Sequence, residues 1–282
     1  MKKAIHNILF GIFAAVFLVS AIYLGNYALQ SFLASRNNNA LADIMDENAV
    51  TPRPTINEFP TETTPEEPET QPTEPVSNLV QITDPETGEI VEVLPEFQEL
   101  YLLNNDIVGW MQIPGTDINY PVMQTPDEPN FYLDHDFDKK SSKHGALYAR
   151  EQCDINRPSA NITIYGHRMK DRSMFAQLDK YMEKSFFEEN PYIYFDTLTE
   201  LHTYKIVAVF LTTATYGKGF PYQRHLDNET TENYISFIDT CKDLALYDTG
   251  VTAEPGDKFI TLSTCEYSQE NGRLVVVAKR IG

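Results

Sequence analysis

The nucleophiles and proton-transfer groups of this 282-residue chain are three cysteines and six histidines, and one cysteine stands out by its setting. Cys265 closes the apolar run FITLSTC (259–265), and Arg273 opens the next run, RLVVVAKRI (273–281), eight residues on. The thiolate is the reactive form of cysteine, and a neighbouring cation stabilises it. If the two runs lie side by side, the intervening loop returns Arg273 close to Cys265, where its planar fork of donors can hold a carbonyl or a developing oxyanion. A buried cysteine closing a strand and an arginine on a strand edge are the structural alternatives. Nucleophilic chemistry further needs a general acid or base, most often histidine. His6 lies in an apolar N-terminal segment, His135 in the acidic stretch LDHDFDKK, and His202 and His225 in polar surroundings. His144 and His167 border strand-like runs. His167 follows NITIYG, so a buried strand would deliver it to the start of a loop, where a rigid scaffold meets solvent.

The elements that must position these residues are mainly strands. GWMQIPGTDINYPVMQ alternates short apolar runs with Pro and Gly punctuation, and strands are predicted at 144–150, 161–167, 203–215, 258–265 and 273–281. Helical spacing occurs in PEFQELYLLNND, in 173–190 and in 229–247, the last opening at Thr230 and Thr231. Many strands with few helices between them argue for a mixed β-barrel and against a doubly wound α/β sheet.

Ahead of this globular part, which starts at about Leu94, stand two segments of different character. From Ala4 to Ser35 no Asp, Glu, Lys or Arg occurs, and Lys2 and Lys3 precede the apolar stretch. That stretch fits the roughly 20 residues that span a bilayer. A cleaved signal peptide is the alternative, but Ala-x-Ala spacing is absent near the outer end. The expectation is an anchor over 1–35 with its N-terminus inside and everything after Arg36 outside. Residues 36–93 are rich in Pro, Thr and Glu and read as a disordered linker. Between Arg36 and Glu99 fifteen acids face only Arg36 and Arg53, a net −13 of the chain's −19. The acidity therefore belongs to the stalk, and it argues against nucleic-acid binding. Three cysteines outside the cell leave at least one thiol unpaired within the chain.

The ordered set of IYGH, TLSTC and the strand-opening Arg273, behind an apolar N-terminus, resembles the sortases, cysteine transpeptidases of the Gram-positive cell surface. The resemblance covers about 94–282. Within the family it is most similar to class B, through the helix before the first strand and the helical insertion before the cysteine strand. It implies an eight-stranded sortase β-barrel with accessory helices, Cys265 as nucleophile, His167 as acid/base and Arg273 as the oxyanion and positioning group. It also implies substrate contacts at Asn119, Met123, Ser263, Thr264 and Glu266, and no cofactor or metal. The implied partners are secreted proteins with a C-terminal sorting signal, NPxTx-like, and an amine of peptidoglycan. A pilus-assembling sortase using a pilin lysine stays open, although ITDPETGEIVEVLPEF lacks the aromatic of the lid motif common in that group. An L,D-transpeptidase would carry an SxGC-like motif, which is missing, and a stalked binding module would use Cys265 only as core.

Overall fold

The computed structural model describes residues 2–50, 78–225 and 230–282. They form two units, Met1–Ala40 and Leu41–Gly282. The first unit is the body of a single helix, α1 (Lys2–Asn48), which is long and apolar enough to cross a membrane. Large apolar side chains such as Phe10, Phe13 and Phe17 are exposed along it.

The second unit is built on a closed barrel of eight strands. These are β3 (Ile107–Gln112), β4 (Asn119–Met123), β5 (Leu147–Ala149), β6 (Asn161–Tyr165), β7 (Tyr192–Thr197), β8 (Thr203–Thr213), β9 (Phe259–Cys265) and β10 (Gly272–Arg280). Their order around the barrel is β10-β8-β7-β3-β4-β5-β6-β9. Neighbours run antiparallel except at β4–β5 and β6–β9, which are parallel. Alternation fills the interior with Ile162 and Ile164 from β6, Ile260 and Leu262 from β9, and Leu274 and Val276 from β10. β10 reads as a continuous apolar run because its outward residues Val275 and Val277 are also covered. Their cover is α4 (Thr231–Leu244), which packs Phe237, Ile238 and Cys241 against Phe259. The Thr230 side chain caps this helix by accepting the Asn233 N–H, as the sequence led one to expect.

Other elements depart from the expectations. The predicted 173–190 helix is a 3-10 turn at Phe175–Met182 followed by α3 (Lys184–Glu189), and β7 comes directly after it. The linker expected over 36–93 is structured at both ends. α1 runs on to Asn48, and Val80–Thr83 (β1) pairs with Ile90–Val93 (β2) as a hairpin; 51–77 lie outside the described residues. The reason is local: the Asp84 carboxylate accepts the N–H groups of Glu86 and Thr87, closing a turn, while Ile82 and Val93 bury with Phe97 and Leu100. Tyr101, on α2 (Gln98–Leu103), donates its hydroxyl to Asp84, and this bond first among several holds the carboxyl well below its usual range. The Asp-Pro-Glu of this segment is thus a hairpin turn seated on α2. The globular unit extends N-terminally past Leu94.

Candidate active site

Parallel pairing at β6–β9 places the C-terminal ends of both strands on one rim. Tyr165 is level with Ser263, so His167 and Cys265, each two residues further on, leave the barrel at the same level and on its outer face. The β9–β10 hairpin then aligns Arg273 directly with Cys265. His167 just past the end of β6, Cys265 on β9 and Arg273 on β10 therefore follow one another laterally, on strands spaced about 4.8 Å apart. Histidine and cysteine, 98 positions apart in the chain, become neighbours through this one parallel joint.

The surroundings hold each member in place. Gly166 sits where a Cβ would lie 2.4 Å from the Leu147 side chain and 2.7 Å from that of Phe175, so a larger residue before His167 would displace these two buried side chains. The Thr264 hydroxyl donates to the Gly166 carbonyl, and the His167 backbone carbonyl accepts from Phe175. The His167 ring donates from Nε2 to the Leu133 carbonyl at 2.7 Å, which requires a proton on Nε2. Arg273 curls one end of its fork, Nη1, onto the Gly272 and Asn271 carbonyls of the hairpin loop. Arg168, next to His167, pairs with Asp179 and lies over the ring of Tyr267, two residues past Cys265.

Among the cysteines, Cys265 alone is half-exposed, whereas Cys153 and Cys241 are buried. Of the other histidines, His144 is buried and donates to Asp171 at 2.7 Å, anchoring the loop that carries His167. His135 stacks on Phe131, His225 packs against Phe237, and His202 is buried at the β7–β8 end.

The expected substrate contacts divide. Ser263 faces outward beside Tyr165, with its hydroxyl 2.6 Å from that of Tyr222. Asn119 is half-buried, and its Oδ1 accepts the Trp110 indole N–H. Met123 is 0% exposed, packed in the cluster that holds Tyr132 and Phe137. Thr264 points toward the barrel interior by alternation, and Glu266 is held by Ser268. The sequence reading missed Tyr148, Tyr165 and Tyr222, which line the outer face beside the site. It also missed the Leu133 carbonyl, because a backbone acceptor leaves no signal in residue type. Among the described residues no group of three or more His, Cys, Asp or Glu could hold a metal ion.

Comparison with known proteins places this geometry. The sortase-domain family model matches residues 111–281. Sortase B of Staphylococcus aureus is 34% identical over 191 residues, covering 67% of this chain and 76% of that protein. A crystal structure of Bacillus anthracis sortase B matches with a TM-score of 0.65 at 26% identity, covering 90% of this chain and 98% of that one. A structure of the S. aureus sortase B–substrate complex matches with a TM-score of 0.61 at 34% identity, covering 67% and 86%. The chain belongs to the sortase family of transpeptidases, and within it is most similar to sortase B. The helix α4, between the sixth and seventh barrel strands, is one of the two features on which the class B resemblance rested.

Proposed function

We propose that this protein is a membrane-anchored cysteine transpeptidase that joins secreted proteins to an amine of the cell wall. The observation that carries the reading is the lateral row of His167, two residues past β6, Cys265 at the end of β9 and Arg273 on β10, at one barrel rim. Cys265 passes its thiol proton to His167, and the resulting thiolate attacks the carbonyl carbon of a Thr in an NPxTx-like C-terminal sorting motif. Arg273 stabilises the tetrahedral oxyanion, a task that suits a planar fork of donors. The C–N bond breaks as His167 gives a proton to the leaving amine, and a thioester joins the peptide to Cys265. In the second step an amine nitrogen attacks the thioester, His167 takes its proton, and the thiolate leaves. The new amide attaches the surface protein.

The apolar α1 supports an anchoring role, and tethering near substrates that are themselves held in the bilayer raises their effective concentration. A peptidoglycan amine is preferred over a pilin lysine because the Asp-Pro-Glu segment forms a hairpin turn seated on α2.

The test is mass spectrometry of the chain incubated with sorting-motif peptides and a panel of amines. A truncated peptide joined to Cys265, and released by one amine class, is the expected result. Cys265→Ala should form no adduct while keeping its circular dichroism spectrum. Equal turnover by that folded variant would remove Cys265 from the reaction.

A further inference from the structure

Arg150 is a half-buried charged side chain beside the site that the two-step reaction leaves without a role. It follows β5, and its N–H donates to the Thr163 carbonyl, which sets it level with Thr163 and Thr261. By alternation from Tyr148 it lies on the same outer face as Tyr165, Ser263 and Cys265. Its guanidinium donates through Nη1 to the Gln223 carbonyl, just past Tyr222. Burial raises the phenols of Tyr165 and Tyr222 above their ordinary range, and the Arg150 charge acts against that rise at both. The side chain therefore reaches the Tyr222–Gln223 segment on this face. It is half-buried, and among the described residues it forms no ion pair. Arg273 occupies the opposite end of the same tyrosine-lined face, beside the nucleophile.

A half-desolvated guanidinium with neutral partners favours an incoming carboxylate, which can take two of its donors at once. Arg150 lies four residues down the strands and two strands across from Cys265, so the separation is about 13 Å by about 10 Å, or about 16 Å on the diagonal. An extended peptide covers that in about five residues. The acyl half of the substrate takes part in both steps and is bonded to Cys265 between them, so contacts that serve both steps lie along that half.

We propose that Arg150 is a specificity-determining residue that receives an Asp or Glu side chain of the sorting peptide, about four to six residues before the scissile bond. The proposal rests on the transpeptidase reading for the identity of the peptide.

The test uses the full chain in detergent micelles with Cys265→Ala, so that binding is read without turnover. Fluorescent sorting peptides carry Asp, Asn or Lys at successive positions before the scissile Thr, and fluorescence polarisation gives Kd at low and high salt. At one far position Asp should bind about fivefold or more tighter than Asn, with Lys weakest and the spread shrinking in high salt. Adding Arg150→Glu should invert the order, and Arg150→Gln should flatten it. A flat profile, absence of binding, or equal weakening of all three peptides in Arg150→Glu would overturn the proposal; the last would make Arg150 only a staple for the Gln223 segment. A charge preference without any Cys265 adduct in the native chain would instead overturn the catalytic reading and leave this site standing.

Discussion

Cys265 is set apart from the other two thiols by its surroundings. Cys241 lies on the buried face of α4 among Phe237 and Phe259, and burial pushes its thiol well up, which keeps it protonated and inert. The Cys153 sulfur sits between the Asn161 carbonyl and the Thr163 N–H. Cys265 ends its strand at a rim, aligned with an arginine. The role proposed for that arginine depends on geometry as well as charge. Arg273→Lys keeps the charge but loses the fork, and kcat/KM should fall about 100-fold while the unfolding midpoint stays within a few degrees. Steady-state kinetics with a quenched fluorescent peptide checks this, and native kinetics would exclude Arg273 from the oxyanion role.

Among the elements, the connection from β4 to β5 does more than cross over. Its 3-10 turn at Phe131–Leu133 presents the carbonyl that holds His167, and Gly145 lets that turn lie against the chain. Gly145 has φ +59°, and an added Cβ would lie 2.5 Å from the Tyr132 carbonyl oxygen and 2.7 Å from that of Leu133. Gly145→Ala should therefore cost about 1–3 kcal/mol through backbone strain. It should also displace the Leu133 oxygen, lowering kcat more than it raises KM. Urea unfolding and kinetics on the same preparation separate the two effects, and a stability loss with unchanged kcat would show that His167 does not depend on this carbonyl.

For the whole molecule, the hairpin β1–β2 belongs to the folded unit. A fragment beginning at Leu94 lacks Ile82, Val93 and the Asp84–Tyr101 bond, whereas one beginning at Leu79 keeps them. Losing two buried aliphatic side chains costs about 3–6 kcal/mol, so the shorter fragment should unfold at clearly lower urea concentration. Equal midpoints would show that the hairpin adds nothing. Acid stability is set in part by His202, which is 3% exposed and whose Nδ1 has no partner. Burial, and then the charge of Arg280, lowers it to about 4, while Glu200 acts in the other direction. Because the folded value lies below that of the unfolded chain, the unfolded state takes up this proton first as pH falls. Stability is then complete above about pH 6.5 and declines between there and pH 4, by about 3 kcal/mol at most. Urea titrations of the Leu79–Gly282 fragment at several pH values should show that decline, and His202→Gln should reduce it; an identical decline in the variant would assign it to other groups.

Strand character, the cap at Thr230 and the strings around His167, Cys265 and Arg273 were legible in the sequence because each depends on residues within a few positions of one another. The pairing of Arg273 with Cys265 was legible for the same reason, since a short loop joins their strands. The hairpin at 80–93 was hidden by the acidic, proline-rich composition next to it, and the 173–190 segment kept a helical rhythm while folding as a 3-10 helix and a short α-helix. Tyr222, Arg150 and the Leu133 carbonyl have no local signature, for each meets its partner through segments distant in the chain. The residues alone determined which side chains could perform acyl transfer and roughly which strands carry them. Only the tertiary structure decided that β6 and β9 run parallel, and this brings His167 to Cys265, because parallel strands end on the same rim and a long crossover must return the chain to that edge.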